Sequence, residues 1–181
     1  MKRVIATLVL CLIVVGITSC SGKKIDENDP AALMQDAEDE VKNDHFQLAL
    51  DKLRNIKNKF PYSRFSHEAH LRMADVYFLQ DSFLEAAGTY ESFRDLHPNH
   101  ERIAYALFRI GKSYFNDIPS PVSRDLSSAN KALEGYNRFL ARFEKDPLSD
   151  EARKDAARIR ELLAEKELYI ANFYKNWDVP D

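Results

Sequence analysis

Apolar positions fall into two regimes along the chain. Residues 4–15 form an almost unbroken apolar run behind Lys2 and Arg3 and ahead of Ile17-Thr18-Ser19-Cys20. A membrane span needs about 20 predominantly apolar residues; this run is shorter and ends in small polar ones, which predicts a secretory signal peptide. From Asp29 onward the apolar residues recur at helical spacing, without the Val/Ile/Thr alternation of half-buried strands. Start and stop signals divide this part: Asp29 with Pro30 in a first turn, Pro61 and Pro98 between helical runs, and Asp125 and Ser149 as N-caps. The expected elements are seven helices, near 30–43, 45–59, 64–80, 82–96, 99–116, 125–145 and 148–176, with no strand.

The helical part repeats itself. At an offset of 37 residues the small residues Ala37, Ala74 and Gly111 coincide. Twelve positions after the first two come Ala49 and Ala86, and twelve further on Pro61 and Pro98. The third copy carries a nine-residue insertion, so Ala132 takes the place of Ala49 and Ala86, and the next proline arrives at Pro147. Bulky positions keep the same register: Leu53, Tyr90 and Tyr136; Ile56, Phe93 and Phe139; Phe60, His97 and Phe143; and, after the first small residue, Tyr77 and Tyr114. Antiparallel helices approach closely only where side chains are small, and bulky rows fill the space beside them. The arrangement is similar to the tetratricopeptide pattern, with a period slightly longer than its usual ~34 residues. It implies an all-α solenoid of tetratricopeptide-like hairpins over 29–178, three hairpins and a long final helix, in which each hairpin buries its apolar face on its neighbours.

Composition narrows the function. The chain of 181 residues carries 26 Lys and Arg against 29 Asp and Glu, and removal of residues 1–19 takes two of the bases, Lys2 and Arg3, which argues against nucleic acid as a partner. Of two cysteines, Cys11 lies in the segment expected to be removed, leaving no disulfide or thiolate metal site. No nucleophile with its base, phosphate-cradling glycine loop or HExxH helix is present, so the sequence offers no catalytic site, cofactor or metal. His67 with His70, and His97 with His100, have the spacing of paired metal ligands. Pro98 interrupts the second pair and the first has no third ligand, which makes solvated or capping histidines the better reading. The stretch 118–124, with two prolines and two serines, reads as a loop, either a contact loop or a tolerated insertion.

The amino terminus sets the location. Ile17-Thr18-Ser19-Cys20 resembles the bacterial lipobox, in which the cysteine is acylated and becomes the first mature residue. Multiple acyl chains hold a protein stably on a membrane. Ser21, in place of the Asp that resembles an inner-membrane retention signal, points to the outer membrane. Residues 20–28 then form a polar tether; a coil of that length spans roughly 15–20 Å, keeping the helical domain near the lipid.

Together the lipobox, the Phe60-Pro61-Tyr62-Ser63 turn, the insertion ending Ser123-Arg124-Asp125-Leu126-Ser127 and the segment 163–174, from Leu163-Ala164-Glu165 to Asn172-Phe173-Tyr174, resemble the BamD (YfiO) family of outer-membrane assembly lipoproteins. The resemblance implies a non-catalytic subunit, lipid-anchored on the periplasmic face of the outer membrane. It would work with a BamA-like barrel assembly protein and other subunits of that machinery on unfolded β-barrel clients. A different periplasm-facing lipoprotein of this repeat type, a secretin pilot or cell-wall-complex adaptor, is the alternative. The resembled family continues for several helices after the segment ending at Asp181, so the last helix is expected to expose an apolar side carrying Ile159, Leu163, Ile170, Phe173 and Trp177.

In stacks of this kind the first helix of each hairpin lines the concave side. Counting from the small residues places Met34, Glu38, Leu71, Asp75, Phe78, Tyr105, Phe108, Lys112 and Phe115 there. That mixed surface could seat an extended aromatic-rich peptide, while ordinary packing between hairpins is the competing reading for each position. Tyr169, Phe173 and Trp177 on the last helix complete the candidate partner-binding set.

Overall fold

The computed structural model describes residues 25–120 and 125–177; the side chains of the last two of these are not included. The expected signal peptide, Cys20, most of the tether and the end of the 118–124 loop lie outside the described residues. Within them the chain forms seven helices and no strand: α1 (Pro30–Lys42), α2 (Phe46–Lys59), α3 (Arg64–Leu79), α4 (Phe83–Leu96), α5 (Ile103–Asn116), α6 (Ser127–Arg142) and α7 (Ser149–Trp177). Each helix packs on the next, and α1 also touches α3 as α5 touches α7, so the odd-numbered helices gather along one side of the stack.

The repeat is visible down to single hydrogen bonds. After α1, the N–H groups of Asp44 and His45 reach the carbonyls of Val41 and Glu40; after α3, those of Asp81 and Ser82 reach Phe78 and Tyr77. Both turns are Schellman closures of a helix C-terminus. Each places an aspartate in the left-handed region, Asp44 at φ 59° and Asp81 at φ 56°, a conformation that short polar side chains tolerate better than most. The even-numbered helices also end alike. Phe60, His97 and Phe143 donate back to Ile56, Phe93 and Phe139, and then Ser63, His100 and Asp146 donate to those three cap residues.

Small and bulky rows do what their spacing predicts. Ala37, Ala74, Ala49, Ala86 and Ala132 are fully buried at the crossings, and Leu53, Ile56, Tyr90, Phe93, Tyr136 and Phe139 are enclosed beside them. The core runs from a cluster on α1–α3 into a larger one on α3–α7, with Tyr77 packed against both, as expected where each hairpin is completed by its neighbour. At the crossing of α5 with α6 two glycines let the backbones come close. A Cβ added at Gly135 would lie 3.0 Å from the Gly111 backbone, and one at Gly111 would lie 2.8 Å from the Tyr136 ring.

Several boundaries differ from expectation. α5 begins at Ile103, four residues late, because His97-Pro98-Asn99-His100 makes a turn closed by His100 N–H on the His97 carbonyl, and His100 Nδ1 accepts from Arg102 N–H at 3.1 Å. α6 spans Ser127–Arg142, shorter at both ends; Asp125 accepts from Ser127 N–H just ahead of it. Ser149 does not cap α7: its hydroxyl donates to the Phe143 carbonyl, and Asp146 accepts from Leu148 N–H instead. Asp29 accepts from Ala31 N–H as predicted.

The final helix also requires a correction. Ile159 is fully buried and Leu163 packs partly against the core, because the first half of α7 docks on α5 and α6 as the next odd-numbered helix. Exposure begins beyond Leu163, where Leu168, Tyr169, Phe173 and Tyr174 face solvent.

Candidate functional site: the face of the odd-numbered helices

The side along which α1, α3, α5 and α7 gather is laced by equivalent polar couples at each junction. Between α1 and α3, Arg72 grips Glu38 through two hydrogen bonds of 2.6 and 2.7 Å across 34 residues. Between α5 and α7, Lys112 bonds Asp155 at 2.8 Å across 43 residues, the same register lengthened by the insertion and with its charges reversed. Lys112 also meets Glu151 at 2.8 Å. Burial would pull the Lys112 ammonium down, but the bonds to Asp155 and Glu151 outweigh it and hold its pKa above the ordinary value.

The junction of α3 with α5 is built around a buried carboxylate. Asp75 accepts from the Tyr90 hydroxyl at 2.5 Å and the Tyr105 hydroxyl at 2.7 Å, with Arg72 at 3.8 Å. Arg109, 34 positions on from Asp75, donates to the Tyr90 oxygen at 3.0 Å, so a phenol sits between the acid and base of this couple. The Arg109 guanidinium lies 3.5 Å from the centre of the Phe78 ring. Burial, reinforced by the Asp75 charge, pushes the Tyr90 phenol far above its ordinary range and raises Tyr105 as well. Tyr136, the counterpart of Tyr90, finds Lys112 at the position of Asp75 and donates to Asp155 at 2.7 Å instead.

The predicted site residues separate accordingly. Leu71 (0% exposed) and Phe108 (4%) are closed inside the core and support this face from beneath rather than lining it. Met34 packs against the amino-terminal core cluster. Phe78 and Tyr105 are half-buried and brought together around Arg109; Lys112 lies 5.4 Å from the Phe115 ring centre. Beside Phe115 a cleft of about 440 Å³ opens toward Lys154, Arg158 and Glu161 of α7. Tyr169, Ile170, Phe173 and Tyr174 line a separate cleft of about 340 Å³ on the exposed half of α7; the Trp177 side chain is outside the described residues. Sequence reasoning missed Arg72, Arg109 and Asp155, although they share one repeat position once the insertion is counted.

The two histidine pairs converge. His67 and His97 lie 4.1 Å apart between ring centres, His67 and His100 5.9 Å, and His70, His97 and His100 surround Phe93. His100 does not cap α5 but accepts from the Arg102 N–H just ahead of it, and His70, 4% exposed, is a core residue and not a solvated one. Among the described residues no three His, Cys, Asp or Glu are arranged to hold a metal ion, and no helix is long and apolar enough to cross a membrane.

A family model described as outer membrane lipoprotein, YfiO, matches residues 26–179. Curated relatives named outer membrane protein assembly factor BamD include those of Neisseria gonorrhoeae, 24% identical over 96% of this chain and 70% of the relative, and Caulobacter vibrioides, 24% identical over 95% and 58%. That of Vibrio cholerae is 22% identical over 86% and 68%. The chain thus spans between 58% and 70% of the lengths of these relatives. Among solved structures, a Podosopora anserina putative kinesin light chain with nearly identical TPR-like repeats superposes with a TM-score of 0.57 at 14% identity, covering 96% of this chain and 90% of that one. A MamA RS-1 double mutant gives 0.56 at 16%, covering 86% and 80%. These likenesses establish the fold class.

Proposed function

Because the chain belongs to the YfiO family of outer membrane lipoproteins, we propose that it is a non-catalytic subunit of the machinery that folds and inserts outer-membrane β-barrels. The observation that carries this reading is the family match over residues 26–179, reinforced by relatives named as assembly factors. Residues 1–19 serve as a lipoprotein signal peptide, and Cys20 carries the acyl chains that hold the domain on the periplasmic face. The partners are a BamA-like barrel assembly protein, its companion subunits and unfolded barrel clients.

The face of the odd-numbered helices suits binding without chemistry. Arg72 and Lys112 are already held by acids, so it offers a stiff surface whose remaining capacity lies in the half-buried rings of Phe78, Tyr105 and Phe115 beside Arg109 and Lys112. Aromatic rings next to fixed cations suit an extended segment carrying aromatic side chains and a carboxylate. The exposed half of α7, with Tyr169, Phe173 and Trp177, supplies a second contact surface.

Copurification from detergent-solubilised outer membranes tests the reading. Recovery of a barrel assembly protein is the expected result; recovery of a secretin or a wall synthase in its place would overturn it. Labelled palmitate should enter the native chain and be absent from Cys20→Ala.

A further inference from the structure

Away from the polar couples, α2, α3 and α4 border a cleft of about 390 Å³. Arg54 and Lys57 line it from α2, His70 from α3, and Gly88, Ser92 and Glu85 from α4. We propose that this cleft is a phosphate-binding site, for a phosphate group carried on a lipid headgroup or on a small soluble ester.

Three observations converge on it. Lys57 is half-buried yet has no carboxylate partner among the described residues, whereas the other half-buried lysines named here are held by acid pairs, Lys52 by Asp36 and Glu40 and Lys112 by Glu151 and Asp155. His70 is almost entirely buried, borders the cleft, and makes no hydrogen bond to any described residue. No buried side-chain nitrogen among the described residues lacks a hydrogen-bond partner, so the unbonded part of the His70 ring is the part left open to solvent at the cleft, where a ligand can reach it. Third, Gly88 lies inside α4, where a glycine costs about 0.5–1 kcal/mol relative to alanine, yet a Cβ there would meet nothing within 4 Å. Packing does not demand this glycine, and its effect is to keep the cleft open.

The chemistry selects the ligand. A guanidinium, an ammonium, an imidazole and the Ser92 hydroxyl come from three helices, an arrangement that suits the several oxygens of a tetrahedral oxyanion better than a planar carboxylate. Glu85, also on the lining, opposes a second anion and can accept from a hydroxyl or ammonium on the carrier. The surroundings of His70 agree: burial first, then the positive fields of Lys57, His97 and His67, hold its pKa at about 4. An anion in the cleft reverses those fields, so phosphate raises the His70 pKa and binds more tightly as pH falls.

The full chain should be titrated with inorganic phosphate at constant ionic strength while the His70 imidazole is followed by NMR, and separately mixed with phosphatidylcholine vesicles with and without phosphatidic acid. The expected result is saturable binding with an upward shift of the His70 pKa, weakened at least tenfold by Arg54→Gln with Lys57→Gln and by Gly88→Leu. Neither variant should melt below the native chain, because Arg54 and Lys57 are held by no core contact named above and the first atom added in Gly88→Leu meets open space. Binding of phosphatidic acid vesicles by the native chain but not by the variants assigns the group to a lipid; phosphate binding without vesicle binding assigns it to a soluble ester. No saturable binding in either arm, chloride or sulfate acting equally, or Gly88→Leu binding as tightly as the native chain would refute the site.

Discussion

Substituting Gly111 by alanine isolates the idea that helix crossings at repeat-spaced small residues set the fold. Taken alone, Gly→Ala inside α5 is favourable by about 0.5–1 kcal/mol, since the unfolded chain loses freedom and the helix gains propensity. The new methyl, however, would sit 2.8 Å from the Tyr136 ring. That ring cannot step aside: it is fully buried, its hydroxyl is tied to Asp155 at 2.7 Å, and Phe108 lies 5.9 Å away between ring centres. Overpacking of this kind costs about 1–3 kcal/mol, so the net effect is a loss of roughly 1–2 kcal/mol. In a domain of this size that is a fall in Tm of about 3–6 °C. Gly88→Ala is the matched control, because its methyl meets nothing within 4 Å and should raise stability by about 0.5–1 kcal/mol. Urea denaturation followed by circular dichroism at 222 nm measures both. Two glycines in the same fold, given the same methyl, should move in opposite directions; a Gly111→Ala variant as stable as Gly88→Ala would refute the crossing geometry.

Asp75→Ala removes the acceptor shared by Tyr90 and Tyr105 and should cost about 2–4 kcal/mol by leaving both hydroxyls without their acceptor and Arg72 without one of its two acids, read as a drop in the urea midpoint at unchanged slope. Since His70 has a pKa of about 4 when folded against 6.5 when unfolded, the unfolded chain takes up the proton first. Stability should therefore be full above pH 6.5 and fall as pH drops from about 6.5 to about 4, by about 3 kcal/mol in total. His70→Leu should flatten that slope, and an unchanged slope would contradict the burial of the neutral ring. Asp81→Val, at φ 56°, should lose about 1–2 kcal/mol, whereas Asp81→Gly should lose nothing, as paired thermal melts would show.

Fold and site differ in how far the amino-acid order discloses them. The crossings were legible because packing at close range constrains residue size: Ala37, Ala74 and Gly111, and the rings at 90, 93, 136 and 139, occupy their places for steric reasons that leave a periodic trace. The polar couples leave a trace too, since Glu38 with Arg72 and Asp75 with Arg109 repeat one separation, and Lys112 with Asp155 repeats it lengthened by the nine-residue insertion. It is harder to read because the third copy exchanges acid for base, and only the pairing is preserved. Counting along the helix puts Leu71 and Phe108 on the open face, because position on a helix fixes a direction but not whether a neighbour covers it. The convergence of His67 and His70 with His97 and His100 depends on how a turn brings α3 beside the α4–α5 junction, which local spacing does not encode.

On the proposed function, the gathered odd-numbered helices form the working face of a scaffold for barrel assembly. Photoreactive residues at Tyr105 and Phe115, compared in intact cells with the same probe at the exposed Leu84 and Leu96, test it most directly. Tyr105 and Phe115 should yield adducts with a barrel assembly protein or its unfolded clients, and Leu84 and Leu96 few; capture of those proteins only from Leu84 and Leu96, or of a secretin or wall synthase from Tyr105 and Phe115, would overturn that assignment.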